Sequence, residues 1–182
     1  MSPLATLSPA DIHRVRTSFD LMWPRSTEMA DQFYARLFEI APDSRTLFRS
    51  DMTRMKDKFI QTLAVLVGSL DNLTGLYAVA GKLAVDHVRY GVRPDHYAPV
   101  GEALLWSLGQ QLAGFWSDDV EQARRRVYAV ISARMIGAAY PDHRQGLSAA
   151  ALHISSPRCS AGQRRTASSS RPRHPTREAL SD

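Results

Sequence analysis

Cysteine is almost missing from this chain: of 182 residues only Cys159 carries a thiol, so no disulfide can staple the fold from within. That fits a reducing compartment, and the expected address is the cytoplasm. No run approaches about eighteen uninterrupted apolar residues, which speaks against a membrane span. The opening residues, Met1 to Ser8, show no basic stretch followed by an apolar one, so no secretory leader is expected. Strand patterns and internal repeats are lacking as well. The histidines and the lone cysteine match no zinc-binding spacing. Charge of one sign is lacking too, at least in the body. Through Tyr140, sixteen Lys and Arg face fifteen Asp and Glu, whereas residues 141–182 hold seven Arg against three acids. The basic character belongs to the tail, and no nucleic-acid partner is expected.

What is present is helical periodicity, in a length that suits one domain with a sizeable core. Ser8-Pro9-Ala10-Asp11 offers a cap, a proline for the first turn and an early acid, opening a helix that should run to about Met22 before Trp23-Pro24 breaks it. Ser26 is expected to cap a second helix bearing Met29, Phe33, Leu37 and Ile40 on one face, ended by Pro42. A third should span about Asp51 to Leu70, with Met52, Met55, Phe59, Leu63, Leu66 and Leu70 in register. A fourth starts near Thr74. The segment from about His96 to Trp116 carries Val100, Leu104, Leu108, Leu112 and Phe115. A last helix follows Ser117, with Asp118 and Asp119 in its first turn. The fold class is therefore all-α. Beyond Tyr140 the composition turns to Ser, Arg and Pro, and residues 141–182 are expected to form a disordered basic tail.

One histidine is hard to place. Leu76, Ala80, Leu83 and His87 recur at steps of four, three and four, so His87 falls on the apolar stripe of its helix. A buried imidazole must satisfy both ring nitrogens or bind a metal. On the residues alone, a core histidine and a ligand both remain open. Around it stand Phe33-Tyr34-x-x-Leu37-Phe38, then Leu47-Phe48, then His96-Tyr97-x-x-Val100-Gly101-Glu102.

In this order and spacing the chain resembles the globin family, specifically bacterial single-domain haemoglobins and the haem domain of flavohaemoglobins, over about residues 5–140. The resemblance implies a globin fold with helices packed around a pocket for haem b. It implies His87 as the proximal ligand of iron and Phe48 as the aromatic against the porphyrin face. Tyr34 corresponds to a distal tyrosine whose hydroxyl can donate to dioxygen in the pocket. Met55 takes the distal-helix position nearest the ligand, where relatives usually carry Gln or His; a thioether cannot donate a hydrogen bond. Phe59, one turn on, would add bulk above the iron. Tyr97 matches a tyrosine that in relatives helps a glutamate orient the histidine, but the glutamate's place falls on Ala139. His87 is then to be anchored by a backbone carbonyl or by Tyr97. Lys58, Arg89 and Arg93 are candidates to face the haem propionates, and His96 to cap or edge the pocket. The plain alternatives are core aromatics at Phe48 and Phe59, a half-buried phenol at Tyr34 and solvated charges at the rim.

The activity so implied is reversible binding of dioxygen and other diatomic gases such as CO and NO. Two further readings stay open. One is a nitric oxide dioxygenase fed by a separate reductase, since 182 residues leave no room for the attached flavin and nicotinamide domains of flavohaemoglobins. The other is a haem-based gas sensor acting through a partner. Monomer and homodimer are equally compatible.

Overall fold

Side-chain oxygens of serine, asparagine and aspartate cap four of the α-helices. In the computed structural model, which describes residues 7–48 and 51–141, the six α-helices are α1 (Pro9–Met22), α2 (Ser26–Ile40), α3 (Met52–Gly68), α4 (Leu73–Arg89), α5 (Tyr97–Gln111) and α6 (Asp118–Ala139). No strand occurs among the described residues. The expected tail lies outside them apart from Pro141. Ser8 Oγ accepts from Asp11 N at 3.1 Å while the Asp11 carboxylate accepts from Ser8 N, closing a capping box on α1. Asn72 caps α4 by accepting from Gly75 N, and Ser117 caps α6 by accepting from Val120 N.

Two sequence expectations need correction. Ser26 is not a cap. Trp23–Arg25 form a 3₁₀ turn that joins α1 directly to α2, so Ser26 is simply the first residue of α2. Pro24 is tolerated because it sits in the first turn of that short element, where its missing N–H is not needed. The apolar stripe of α5 also stops short. The helix ends at Gln111, and Phe115 lies in the following turn, 63% exposed.

Packing leaves a slot. The α2 helix lies along α5 over Met22, Met29, Phe33, Leu37, Leu108 and Leu112. The α4 and α1 helices both pack on α6, burying Val15, Leu76, Ala123 and Val127. The α3 and α4 helices, by contrast, barely meet. Leu76 and Ala80 on α4 are fully buried, whereas Leu83 and His87 on the same stripe are only partly covered, because a cavity opens beside them.

At the α5–α6 crossing the backbone comes close to a ring. A Cβ added at Gly101 would lie 2.4 Å from Cε1 of Tyr128, so only glycine fits. That approach lets the Tyr128 hydroxyl donate to the Tyr97 carbonyl at 2.6 Å.

Candidate functional site

The cavity measures about 1290 Å³, beyond the roughly 300–1,000 Å³ usual for small-molecule pockets. Its walls come from all six helices and the turns after α2 and α4. It brings together Tyr34, Phe48, Met55, Lys58, Phe59, His87 and Tyr97, drawn from segments far apart in the chain.

His87 stands on the α4 side. Its Nδ1 lies 2.8 Å from the carbonyl oxygen of Leu83, one turn earlier. A carbonyl can only accept, so Nδ1 carries the proton and Nε2 is left with its lone pair. The carbonyl of His87 in turn accepts from Val92 N at 3.0 Å, tying the ring's backbone to the turn that follows α4. Burial pulls the imidazole's pKa below its usual value, outweighing the opposing effects of the Leu83 hydrogen bond and of Asp86. The ring is neutral at pH 7, the state in which imidazole binds a metal.

The Tyr97 ring stacks beside His87, with centroids 6.2 Å apart. Its hydroxyl is buried and makes no hydrogen bond among the described residues. Of the two anchors left open by the sequence, the structure has the Leu83 carbonyl. Ala139 packs with Ala80, Ala84, Tyr97 and Met135, so that place is apolar.

Across the cavity an aromatic cluster forms the opposite wall. The Phe33 and Phe59 rings stack at 4.2 Å, and Tyr34 meets Phe48 and Phe59 edge-on at 5.3 and 5.7 Å. Phe59 is thus core packing and cavity lining at once. Tyr34 is 4% exposed, and burial pushes its phenol up to about 12. Its one hydrogen bond is a long donation, 3.5 Å, to the carbonyl of Met55. A neutral O–H so loosely engaged is available to a guest.

Cations gather at the mouth. Lys58 and Arg93 line the cavity, the latter also paired with Asp95 at 3.1 Å. Arg89 does not line it; its exposed guanidinium pairs at 3.6 Å with Asp86, an acid that does. His96 does both things expected of it, lining the cavity and accepting from Arg93 N through Nδ1 at 3.2 Å. Arg54 and Lys82 line the mouth too, and sequence reasoning missed them. The spacing held a signal, since Arg54 and Lys58 are i,i+4 neighbours on α3 and share a face.

A flat, largely apolar cofactor with anionic edges and a metal at its centre fits these surroundings. One neutral imidazole offers a lone pair, aromatic rings flank the space, and cations wait at the rim. The unpartnered Tyr97 hydroxyl is a buried polar group that an empty apolar core would not keep.

Comparison with known proteins agrees. The family model described as Globin matches residues 31–135. The flavohemoprotein of Vibrio cholerae is 25% identical over 149 residues, covering 78% of this chain and 37% of its own length. Neuroglobin of Tetraodon nigroviridis is 27% identical over 143 residues, covering 71% of this chain and 90% of its own. The chain therefore spans about a third of the flavohemoproteins it matches. Among solved structures, an engineered carbene transferase derived from a proposed nitric oxide dioxygenase of Rhodothermus marinus superposes with a TM-score of 0.66 at 26% identity, covering 81% of this chain and 99% of that one. Such relatives imply a bound haem. With the family model matching more than half of its length, this chain belongs to the globin family.

Proposed function

We propose that this globin would hold haem b through His87 and bind dioxygen, or another diatomic gas, reversibly beside the hydroxyl of Tyr34. The observation that carries the reading is the bond from His87 Nδ1 to the Leu83 carbonyl, which fixes the tautomer and leaves Nε2 to ligate. When bound, the haem supplies the iron at which the gas is held. The chain's own part is to orient one imidazole, keep the distal side apolar and present one neutral donor. Phe48 and Phe59 would exclude water from that side, Met55 offers no competing N–H or O–H, and Lys58 and Arg93, which line the cavity, would pair with the cofactor's carboxylates.

The proximal side supports binding over oxidative chemistry. His87 Nδ1 is held by an uncharged carbonyl, and among the described residues no carboxylate hydrogen-bonds to the ring. The test is the absorption spectrum of the purified chain, oxidised, reduced and exposed to carbon monoxide. A ferrous spectrum that shifts on carbon monoxide and forms a lasting oxygenated species is expected. A chain that retains no haem would overturn the proposal.

Nitric oxide dioxygenation in the same pocket is a second reading, favoured by the flavohemoproteins and by the description of the Rhodothermus neighbour. It requires a source of electrons to re-reduce the iron. Sustained nitric oxide consumption by the oxygenated chain with an added reductase would move the assignment to this activity. No helix among the described residues is long and apolar enough to cross a membrane, and we place the protein in the cytoplasm on the strength of its cysteine usage.

A further inference from the structure

Arg124 of α6 is buried with no acid beside it among the described residues. It is 6% exposed, and its Nε and Nη2 both donate to the single hydroxyl oxygen of Ser18, at 3.1 and 2.8 Å. Ser18 sends its own proton to the Arg14 carbonyl at 2.6 Å, so it brings lone pairs but no charge. The next two arginines each have an acid: Arg125 pairs with Glu121 and Arg126 with Asp11. Arg124 pairs with none among the described residues. A guanidinium has five N–H groups, and Ser18 engages two of them. Desolvation lowers its pKa only to about 10, so the side chain stays cationic at pH 7.

The second observation is the cavity. Arg124 is part of its wall together with Val15, Phe19, Leu105, Leu108 and Val127, where α1, α5 and α6 converge. This is not the end that holds His87. Tyr97, which stacks on His87, opens α5, and Leu108 lies about 16 Å further along that helix. At the Arg124 end the lining is apolar, which excludes water and strengthens any attraction to the guanidinium. One cation with apolar neighbours balances one negative charge.

We propose that Arg124 is an anion site: it holds a small monovalent anion, a halide or a planar oxyanion such as nitrate, at the α1–α5–α6 end of the cavity. Removing a buried charge together with its need for a partner is often neutral or stabilising, whereas leaving it unpaired is not. The anion should therefore stabilise the wild type alone, by mass action.

Melting temperatures of the full chain, purified with its cofactor, test this in sodium chloride, sodium nitrate and sodium gluconate at equal ionic strength. Gluconate, a strongly hydrated polyhydroxy carboxylate that is costly to bring into apolar surroundings, serves as the reference. In about 100 mM chloride or nitrate the wild type is expected to melt about 3 °C or more above its value in gluconate. The larger of the two shifts tells a halide site from an oxyanion site. Arg124→Met should melt in gluconate no lower than the wild type and lose the response. Ser18→Asp, which places a carboxylate beside the retained arginine, should lose it as well, and carries the test if the methionine variant fails to fold. A wild type indifferent to the anion, or equal responses in wild type and variants, overturns the proposal.

Discussion

Tyr34 meets the cavity with a phenol that water scarcely reaches, 4% exposed and kept neutral by burial. A hydrogen bond from such a group to a partly charged guest is worth about 1–3 kcal/mol in a dry site. At roughly 1.4 kcal/mol per factor of ten, Tyr34→Phe is expected to speed dioxygen dissociation about ten-fold or more. Stopped-flow displacement by carbon monoxide measures it, and carbon monoxide release should change far less, since that gas carries little charge at its outer atom. Equal dioxygen rates in the two proteins would remove Tyr34 from the distal role. At this scale much was legible. The resemblance to globins singled out His87, Tyr34, Phe48 and Tyr97, and the structure brings all four to one cavity. The Leu83 carbonyl was one of two anchors left open, because every helical residue offers the same acceptor. Arg124 was not legible at all: three consecutive arginines look alike until packing buries one of them.

Among the elements, the α5–α6 crossing depends on a missing side chain. Gly101 faces the Tyr128 ring, and even a methyl group would overlap it. Gly101→Ala is expected to lower stability by about 1–3 kcal/mol in urea unfolding, the usual range for overpacking. Tyr128→Phe removes only the bond to the Tyr97 carbonyl and should cost about 1 kcal/mol. A glycine variant as stable as the wild type would show that the crossing yields easily and that the close approach does not position Tyr97. Helix starts were read well from Ser8 and Ser117, where a side-chain oxygen has an unsatisfied N–H to meet. Ser26 misled because a 3₁₀ turn already supplies the backbone that a cap would otherwise satisfy. The true end of α5 was hidden by apolar residues that continue past it, and their periodicity does not tell a helix from the turn behind it.

Over the whole molecule, α1 is fastened to α6 by charge. Arg126 donates to both oxygens of Asp11, at 2.6 and 3.1 Å, and Arg14 reaches Asp119 at 3.1 Å. The Asp11 carboxyl is held down to about 2 from 3.8, chiefly by the Arg126 hydrogen bond. Its folded pKa is the lower one, so the unfolded chain binds the proton more readily and this contribution grows with pH. It is complete above about pH 4 and is lost as pH falls toward 2. Asp11→Asn should therefore be less stable than wild type at neutral pH, with the two converging in acid, as followed by helical circular dichroism in urea. Parallel stability curves across that range would contradict the pairing. The all-α architecture was legible from periodicity, and the cavity only through the likeness to globins, since no local pattern records that α3 and α4 stand apart. The claim on which the rest depends is that this cavity closes on haem through one nitrogen of His87. The most direct measurement is haem content and ferrous–carbon monoxide absorption of His87→Gly beside the wild type, with and without free imidazole. The account predicts a folded helical variant that retains little haem and regains part of it, with its spectrum, when imidazole enters the space left by the ring; wild-type haem content and spectrum in the variant without imidazole would contradict it.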